Sequence, residues 1–327
     1  MKPSILIIAD FPGWAYFEIQ QFLKKNLSYK YDIYCDFLVF NTKVKSKNPL
    51  RRFKNYLGKR KYSELKKDYK YDIVLELGFY FEKHMKINWE SRYRIKGIYT
   101  DGFPPSNSNF QGKPEEFINE FCANTDLLVC GSRQIKDFYS QIFPRVFYAN
   151  GLIDDNFFIR RKAYNRKKFV IGWTGNPQRE FKGYYSHVLK VAEILKLQHS
   201  DIELKSRFSG PMETLPDFYE DVDVVLIASD ADAGPSMFGE ASLMGVPSVS
   251  TNIGWPSQVI KNGVNGFIVE KEVDEMVEKI ELLYNNRSLL EDMSNRIRTD
   301  YQIEFNTEDM VSRWDNIFKT VLEIGNE

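Results

Sequence analysis

Phe169-Val170-Ile171-Gly172-Trp173 is a short apolar run that follows the basic, proline-free stretch from Arg160 to Lys168. It reads as a buried strand that opens a new series halfway along the chain. After it, Tyr184, Val188, Val191, Ala192 and Leu195 recur at helical spacing, residues 204–208, 222–228, 247–250 and 266–269 read as further strands, and helices begin near Phe238 and Glu272. Before it the same alternation has already run once. Residues 5–9 form an apolar run ending at the turn-forming Asp10-Phe11-Pro12-Gly13, and Ala15, Ile19, Phe22 and Leu23 mark a helix. Brief strands then fall at 32–40, 72–77, 97–100, 127–130 and 146–149. Strands alternating with helices predict parallel sheets covered on both faces. The restart at Phe169 divides them into two doubly wound Rossmann-like α/β domains joined near residues 155–167, facing a cleft at the carboxyl edges of their strands, where ligands are expected.

Composition agrees. A single core seldom grows beyond about 250 residues, and this chain has 327, of which 43% are hydrophobic and 15% aromatic. No run of about 18 apolar residues is present to span a bilayer, and the apolar stretch before Asp10 is too short for a signal-peptide core, which predicts a cytoplasmic protein. Cys35, Cys122 and Cys130 are odd in number and scattered, which fits a reducing compartment. His84, His187 and His199 sit near no cysteine, so no metal site is predicted.

The formal net charge of zero conceals an asymmetry, +9 over residues 1–150 and −9 over 151–327. Residues 43–70 hold twelve Lys and Arg against Glu64 and Asp68. This stretch has three readings: a solvated charged face, a helix on an anionic membrane, since Leu50, Phe53, Tyr56 and Leu57 recur at helical spacing, or a nucleic-acid contact, which no recognition motif accompanies.

Two segments carry chemistry. In Ser229 to Ser250 a strand ends, Gly234-Pro235 forms a loop, and a helix follows through Ser236, Met237 and Phe238, with Glu240 placed in its first turn. Amides at a helix start bind phosphate, and the carboxylates Asp232 and Glu240 can accept hydrogen bonds from sugar hydroxyls. In Gly172 to Gly183 a strand ends in a loop containing Gly175 and Asn176, and two cations, Arg179 and Lys182, stand ready to neutralise a departing pyrophosphate. Asp230-Ala231-Asp232 also spells a short metal-binding pattern, but Asp230 reads as a solvated loop residue. Trp255 either stacks on a sugar or closes the core.

Together these segments resemble the donor-binding signature of retaining GT-B glycosyltransferases of family 4, the glycosyl transferases group 1. The similarity rests on the Asp232 to Glu240 spacing, Glu240-Ala241, Gly245-Val246-Pro247 and Lys182-Gly183, with weaker matches at Tyr148 to Phe157 and Thr251 to Val269. It departs at Asp232, where Glu is usual, and at Asn176-Pro177, where the family has arginine. The resemblance implies that Asp232 contacts the donor sugar, Glu240 the ribose, and Lys182 with Arg179 the pyrophosphate. It further implies that Met212 or Glu213 lies near the base, that Gly13 approaches the phosphates, and that Asp101 stands where many relatives have a histidine near the reacting sugar. Turn chemistry alone also accounts for Gly13 and Asp101. The domains implied are an acceptor-binding one over 1–158, a nucleotide-sugar-binding one over 159–305, and a C-terminal helix over 306–327 packing back on the first. The activity implied is metal-independent, retaining transfer from a nucleotide-diphosphate sugar to a glycan or lipid-linked acceptor, with no cofactor and no nucleic acid. The alternatives are a sugar-nucleotide epimerase on the same scaffold and a non-catalytic nucleotide-sugar binder.

Overall fold

The computed structural model describes residues 1–13, 15–43, 48–66, 68–87, 89–99, 113–160 and 168–324. They fall into two compact units, Met1–Leu152 with Thr307–Glu327, and Ile153–Asn306.

The first unit opens with β1 (Ser4–Ala9), α1 (Ala15–Leu27), β2 (Asp32–Phe37), α2 (Pro49–Tyr62), β3 (Lys70–Glu76) and the single turn α3 (Phe81–His84). It continues with β4 (Glu90–Ile98), α4 (Pro114–Phe121), β5 (Leu127–Cys130), α5 (Arg133–Tyr139) and β6 (Val146–Tyr148). All six strands pair in parallel in the order β2-β1-β3-β4-β5-β6. Every residue of β1 is buried, as the continuous apolar run requires when both faces are covered. β4 starts seven residues earlier than the sequence suggests, and the end of the expected second strand is instead a 3-10 turn at Leu38–Phe40. The three cysteines are free and buried, and burial pushes the Cys35 and Cys122 thiols up to about 12.

The second unit runs β7 (Phe169–Thr174), α6 (Leu189–Gln198), β8 (Ile202–Arg207), α7 (Leu215–Glu220), β9 (Val224–Ile227) and α8 (Ser236–Leu243). β10 (Ser248–Thr251), α9 (Gly254–Val259), β11 (Phe267–Val269), α10 (Val273–Asn285) and α11 (Arg287–Glu304) complete it. Its parallel order is β11-β10-β9-β7-β8. The chain steps from β7 out to β8, returns to the other side of β7 as β9, and continues to β10 and β11. β7 and β9 therefore lead away in opposite directions at their carboxyl ends. This reversal is the switch point at which such sheets bind ligands.

A last helix, α12 (Thr307–Glu323), belongs to the first unit. Its Asp315 accepts from Tyr31 Oη at 2.9 Å and pairs with Lys30 at 2.7 Å, and Trp314 Nε1 donates to the Asn150 carbonyl at 2.8 Å. The segment Thr307–Glu327 brings two cations and five carboxylates with it, so the units carry net charges of +6 and −6 rather than +9 and −9.

Candidate active site

The site forms where β7 and β9 end side by side. Two glycines let the following loops meet. Gly183 has a left-handed φ of 68°, and a Cβ there would stand 2.2 Å from the Ala228 carbonyl oxygen, so no side chain fits where the first loop passes the end of β9. The Asp230 amide then donates to the Phe181 carbonyl at 2.8 Å, stitching one loop to the other. Gly234 lies directly under the Trp255 ring, which a Cβ would approach to 2.2 Å. Trp255 is buried, 5.0 Å from the Phe305 ring centroid, and closes the core.

This stitching delivers Lys182 from the loop after β7 to Asp232 from the loop after β9. Their ammonium and carboxylate form an ion pair, with the two side chains only 20% and 9% exposed. The other Asp232 oxygen accepts from the Gly234 amide at 3.3 Å. Lys182 and Asp232 are sequence-identified side chains that the fold brings together from different loops.

Glu240 sits deeper, and in the second turn of α8 rather than the first, because the loop extends through Pro235 and the helix starts at Ser236. The N-cap residue of α8, Pro235, makes no side-chain hydrogen bond to its opening amides. Glu240 is 7% exposed. Tyr219, on α7, donates its hydroxyl to Glu240 Oε2 at 2.6 Å and stands 3.3 Å from the Thr174 hydroxyl. Burial pushes the Glu240 carboxyl up to about 6, against the opposing effects of the Tyr219 hydrogen bond and the Arg207 charge. Burial, followed by the Glu240 charge, raises the Tyr219 phenol far above its ordinary value.

Arg207 ends β8 in register with Thr174, its carbonyl accepts from the Gly175 amide at 3.1 Å, and its guanidinium donates to the Pro211 carbonyl at 2.6 Å. Sequence reasoning missed both Tyr219 and Arg207. Neither belongs to the quoted motifs, and the available signal for Arg207 was a cation three positions before Gly210-Pro211 on the strand-end edge.

The other expected residues are distributed as follows. Met237 Sδ accepts from the Thr174 amide at 3.0 Å, tying α8 to the end of β7, and Phe238 is fully buried. Asn176 caps its own turn through Gln178 N at 3.0 Å. Arg179 is exposed beside the Phe181 ring, its guanidinium 5.9 Å from the centroid, and it is not drawn into the Lys182–Asp232 pair. Met212 and Glu213 form an exposed turn beyond Arg207. Gly13 is exposed after β1 with a φ of 83°, a conformation that by itself calls for glycine. Asp101 lies outside the described residues. Asp230 is not simply solvated but pairs with Lys271 at 2.5 Å. Among the described residues, no group of three or more His, Cys, Asp or Glu side chains is placed to hold a metal ion.

Residues 192–300 match the family described as Glycosyl transferases group 1. The capsular polysaccharide biosynthesis glycosyltransferase CapM of Staphylococcus aureus is 25% identical over 163 residues, covering 50% of this chain and 40% of that protein. The poly(ribitol-phosphate) alpha-N-acetylglucosaminyltransferase of Staphylococcus aureus (strain COL) is 28% identical over 135 residues, covering 40% of this chain and 27% of that protein. The chain spans less than half the length of the curated relatives it matches. In fold it is similar to Anabaena HepE, solved with UDP and glucose, at a TM-score of 0.66 and 13% identity over 96% of this chain and 99% of that one. Residues 192–300, which hold Arg207, Tyr219, Asp232 and Glu240, thus match the glycosyl transferases group 1, and the two parallel-sheet units have the fold of the GT-B glycosyltransferases.

Proposed function

We propose that the chain transfers a sugar from a nucleotide-diphosphate donor, a UDP-sugar, to a hydroxyl of a glycan or lipid-linked acceptor, in the cytoplasm and in the synthesis of a polysaccharide or glycoconjugate. The observation that carries this reading is the meeting of Lys182 with Asp232 at the β7/β9 switch point, beside the uncapped start of α8. A donor pyrophosphate takes over the Lys182 ammonium. Asp232, released from it, accepts from hydroxyls of the sugar, and Glu240, held by Tyr219, accepts from the ribose. UDP is the nucleotide in the HepE structure, and this supports the choice of base.

In the reaction the bond from the anomeric carbon to the phosphate oxygen breaks, and the acceptor oxygen bonds to that carbon on the same face. The acceptor proton passes to the departing phosphate, so the configuration is retained and no protein nucleophile is consumed. Negative charge grows on the phosphate as the sugar leaves, and Lys182 stabilises it from a fixed position. A charge-assisted hydrogen bond contributes about 1.5–3 kcal/mol, enough without a metal ion to account for a rate loss of tens-fold when it is removed. The first unit takes the acceptor.

A thermal-shift panel of UDP-, GDP-, dTDP- and CMP-sugars, followed by product analysis with and without acceptors, tests the proposal. Stabilisation by UDP-sugars and acceptor-dependent release of UDP, unaffected by EDTA, with an α-linked product from an α-linked donor, is the expected outcome. Free UDP and an isomerised sugar without acceptor would identify an epimerase, and stabilisation without turnover a binding protein. Unchanged turnover in both Lys182→Ala and Glu240→Ala would remove the site.

A further inference from the structure

α2 seats on the first unit along one side. Asn55 Nδ2 donates to the Val39 carbonyl at 3.4 Å, Lys59 Nζ to Asn41 Oδ1 at 2.7 Å, the Tyr62 ring lies 6.3 Å from that of Phe37, and a Cβ on Gly58 would come within 3.0 Å of the Phe40 ring. At about 100° per residue, Leu50, Phe53 and Leu57 fall on the opposite side of the helix. They are 73%, 60% and 48% exposed. With Tyr56, they make four of the fifteen exposed large apolar side chains among the described residues fall within eight consecutive positions, so the exposure is a patch and not scatter. Exposed Lys54 and Lys61 flank the ridge on one side, and Arg60, 6.0 Å from the Tyr56 ring, flanks it on the other. The helix contains no acidic residue.

We propose that α2 lies on the surface of an anionic lipid bilayer, with Leu50, Phe53 and Leu57 entering the headgroup boundary and Lys54, Arg60 and Lys61 meeting lipid phosphates. An apolar crest between basic flanks is the pattern of an interfacial helix. A nucleic acid or other soluble polyanion would engage the flanks but leave the crest in water, so the charge complementarity and the apolar ridge agree only for a membrane. No helix among the described residues is long and apolar enough to cross a bilayer, and the contact is therefore peripheral. Binding needs no nucleotide, so its outcome is separate from that of the donor site.

Sedimentation of the full chain with phosphatidylcholine vesicles, and with vesicles half phosphatidylglycerol, tests this. The wild type pellets with the anionic vesicles and not with the neutral ones. Each cation removed in Lys54→Gln, Arg60→Gln and Lys61→Gln lowers partitioning about five-fold. The triple variant Leu50→Ser, Phe53→Ser, Leu57→Ser loses binding while retaining its circular dichroism, and a Trp placed by Phe53→Trp shifts its emission to the blue on anionic vesicles. Equal pelleting with both vesicle types overturns the proposal. So does a folded serine variant that binds as the wild type does, or heparin binding that is indifferent to the serine substitutions and displaces the vesicles.

Discussion

Replacing Glu240 by Gln should make the protein more stable at neutral pH while weakening the donor site. An ordinary glutamate titrates at 4.5, and burial lifts Glu240 to about 6 in the folded protein. Between these values the folded state holds a proton that the unfolded state has released. Stability is therefore greatest below 4.5, falls as the pH rises through about 6, and stays lowered above it. A difference of this size corresponds to about 2 kcal/mol, the standing cost of a buried carboxylate whose role is to accept hydrogen bonds. Gln carries no charge, and its carbonyl can still accept from Tyr219. The second unit of Glu240→Gln should accordingly melt about 4–8 °C higher than the wild type at pH 7.5, with the difference closing as the pH approaches 4.5. UDP-induced stabilisation should shrink at the same time, because the amide offers the ribose one acceptor where the carboxylate offers two. Scanning calorimetry at several pH values, with and without UDP, measures both effects. A variant that melts no higher at pH 7.5, or that keeps a constant advantage down to pH 4.5, would refute the assignment of a charged, poorly solvated Glu240.

Tyr219→Phe removes a hydrogen bond that lowers the Glu240 pKa, so the acid limb of the turnover-against-pH profile should move to higher pH, a change that simple loosening of α7 would not produce. Lys182→Ala should depress kcat by tens-fold, whereas Asp232→Asn, which leaves Lys182 without its counter-charge, should tighten UDP itself while weakening discrimination between UDP-sugars; isothermal titration with UDP and several UDP-sugars separates these outcomes. Gly183→Ala both crowds the Ala228 carbonyl and places a Cβ on a left-handed backbone, and should cost more than the roughly 1–2 kcal/mol of the left-handed conformation alone, read as a lower melting temperature together with lost UDP stabilisation.

The strands were legible wherever burial on both faces produced an unbroken apolar run, as in β1 and β9. β4 shows where that signal fails. Glu90 to Lys96 contains no unbroken apolar run, yet Lys96 is 2% exposed, because Glu82 pairs with it at 2.8 Å and the Phe121 carbonyl accepts from it at 2.5 Å. A buried lysine is tolerable only when it is paired and hydrogen-bonded, and those partners come from other elements that the local sequence does not announce. Glu240 illustrates the same limit on a smaller scale. The spacing to Asp232 was visible, but the turn of α8 it occupies depended on how far the Gly234-Pro235 loop stays extended. Tyr219 was invisible because a tyrosine on an amphipathic helix is ordinarily packing, and its role follows from a partner 21 positions away.

The charge balance of the second unit acquires a different meaning once the switch point is known. A net charge of −6 spread over Ile153–Asn306 would seem to repel a pyrophosphate. Exposed charges farther than about 8 Å away are largely screened at physiological salt, so what a donor meets is set by the few groups at the ends of β7, β8 and β9. There the topology brings Lys182 and Arg207 to one sheet edge, though they are 25 positions apart in the chain. Asp232 pairs with Lys182, which keeps a largely buried ammonium from being left without a partner. On the proposed function, an incoming phosphate would replace that carboxylate as the partner of Lys182, and the displacement would free Asp232 as the sugar arrives. On that proposal, recognition of the phosphate and of the sugar is coupled through a single ion pair, and a nucleotide lacking its sugar should exchange one partner for another without satisfying the carboxylate it displaces.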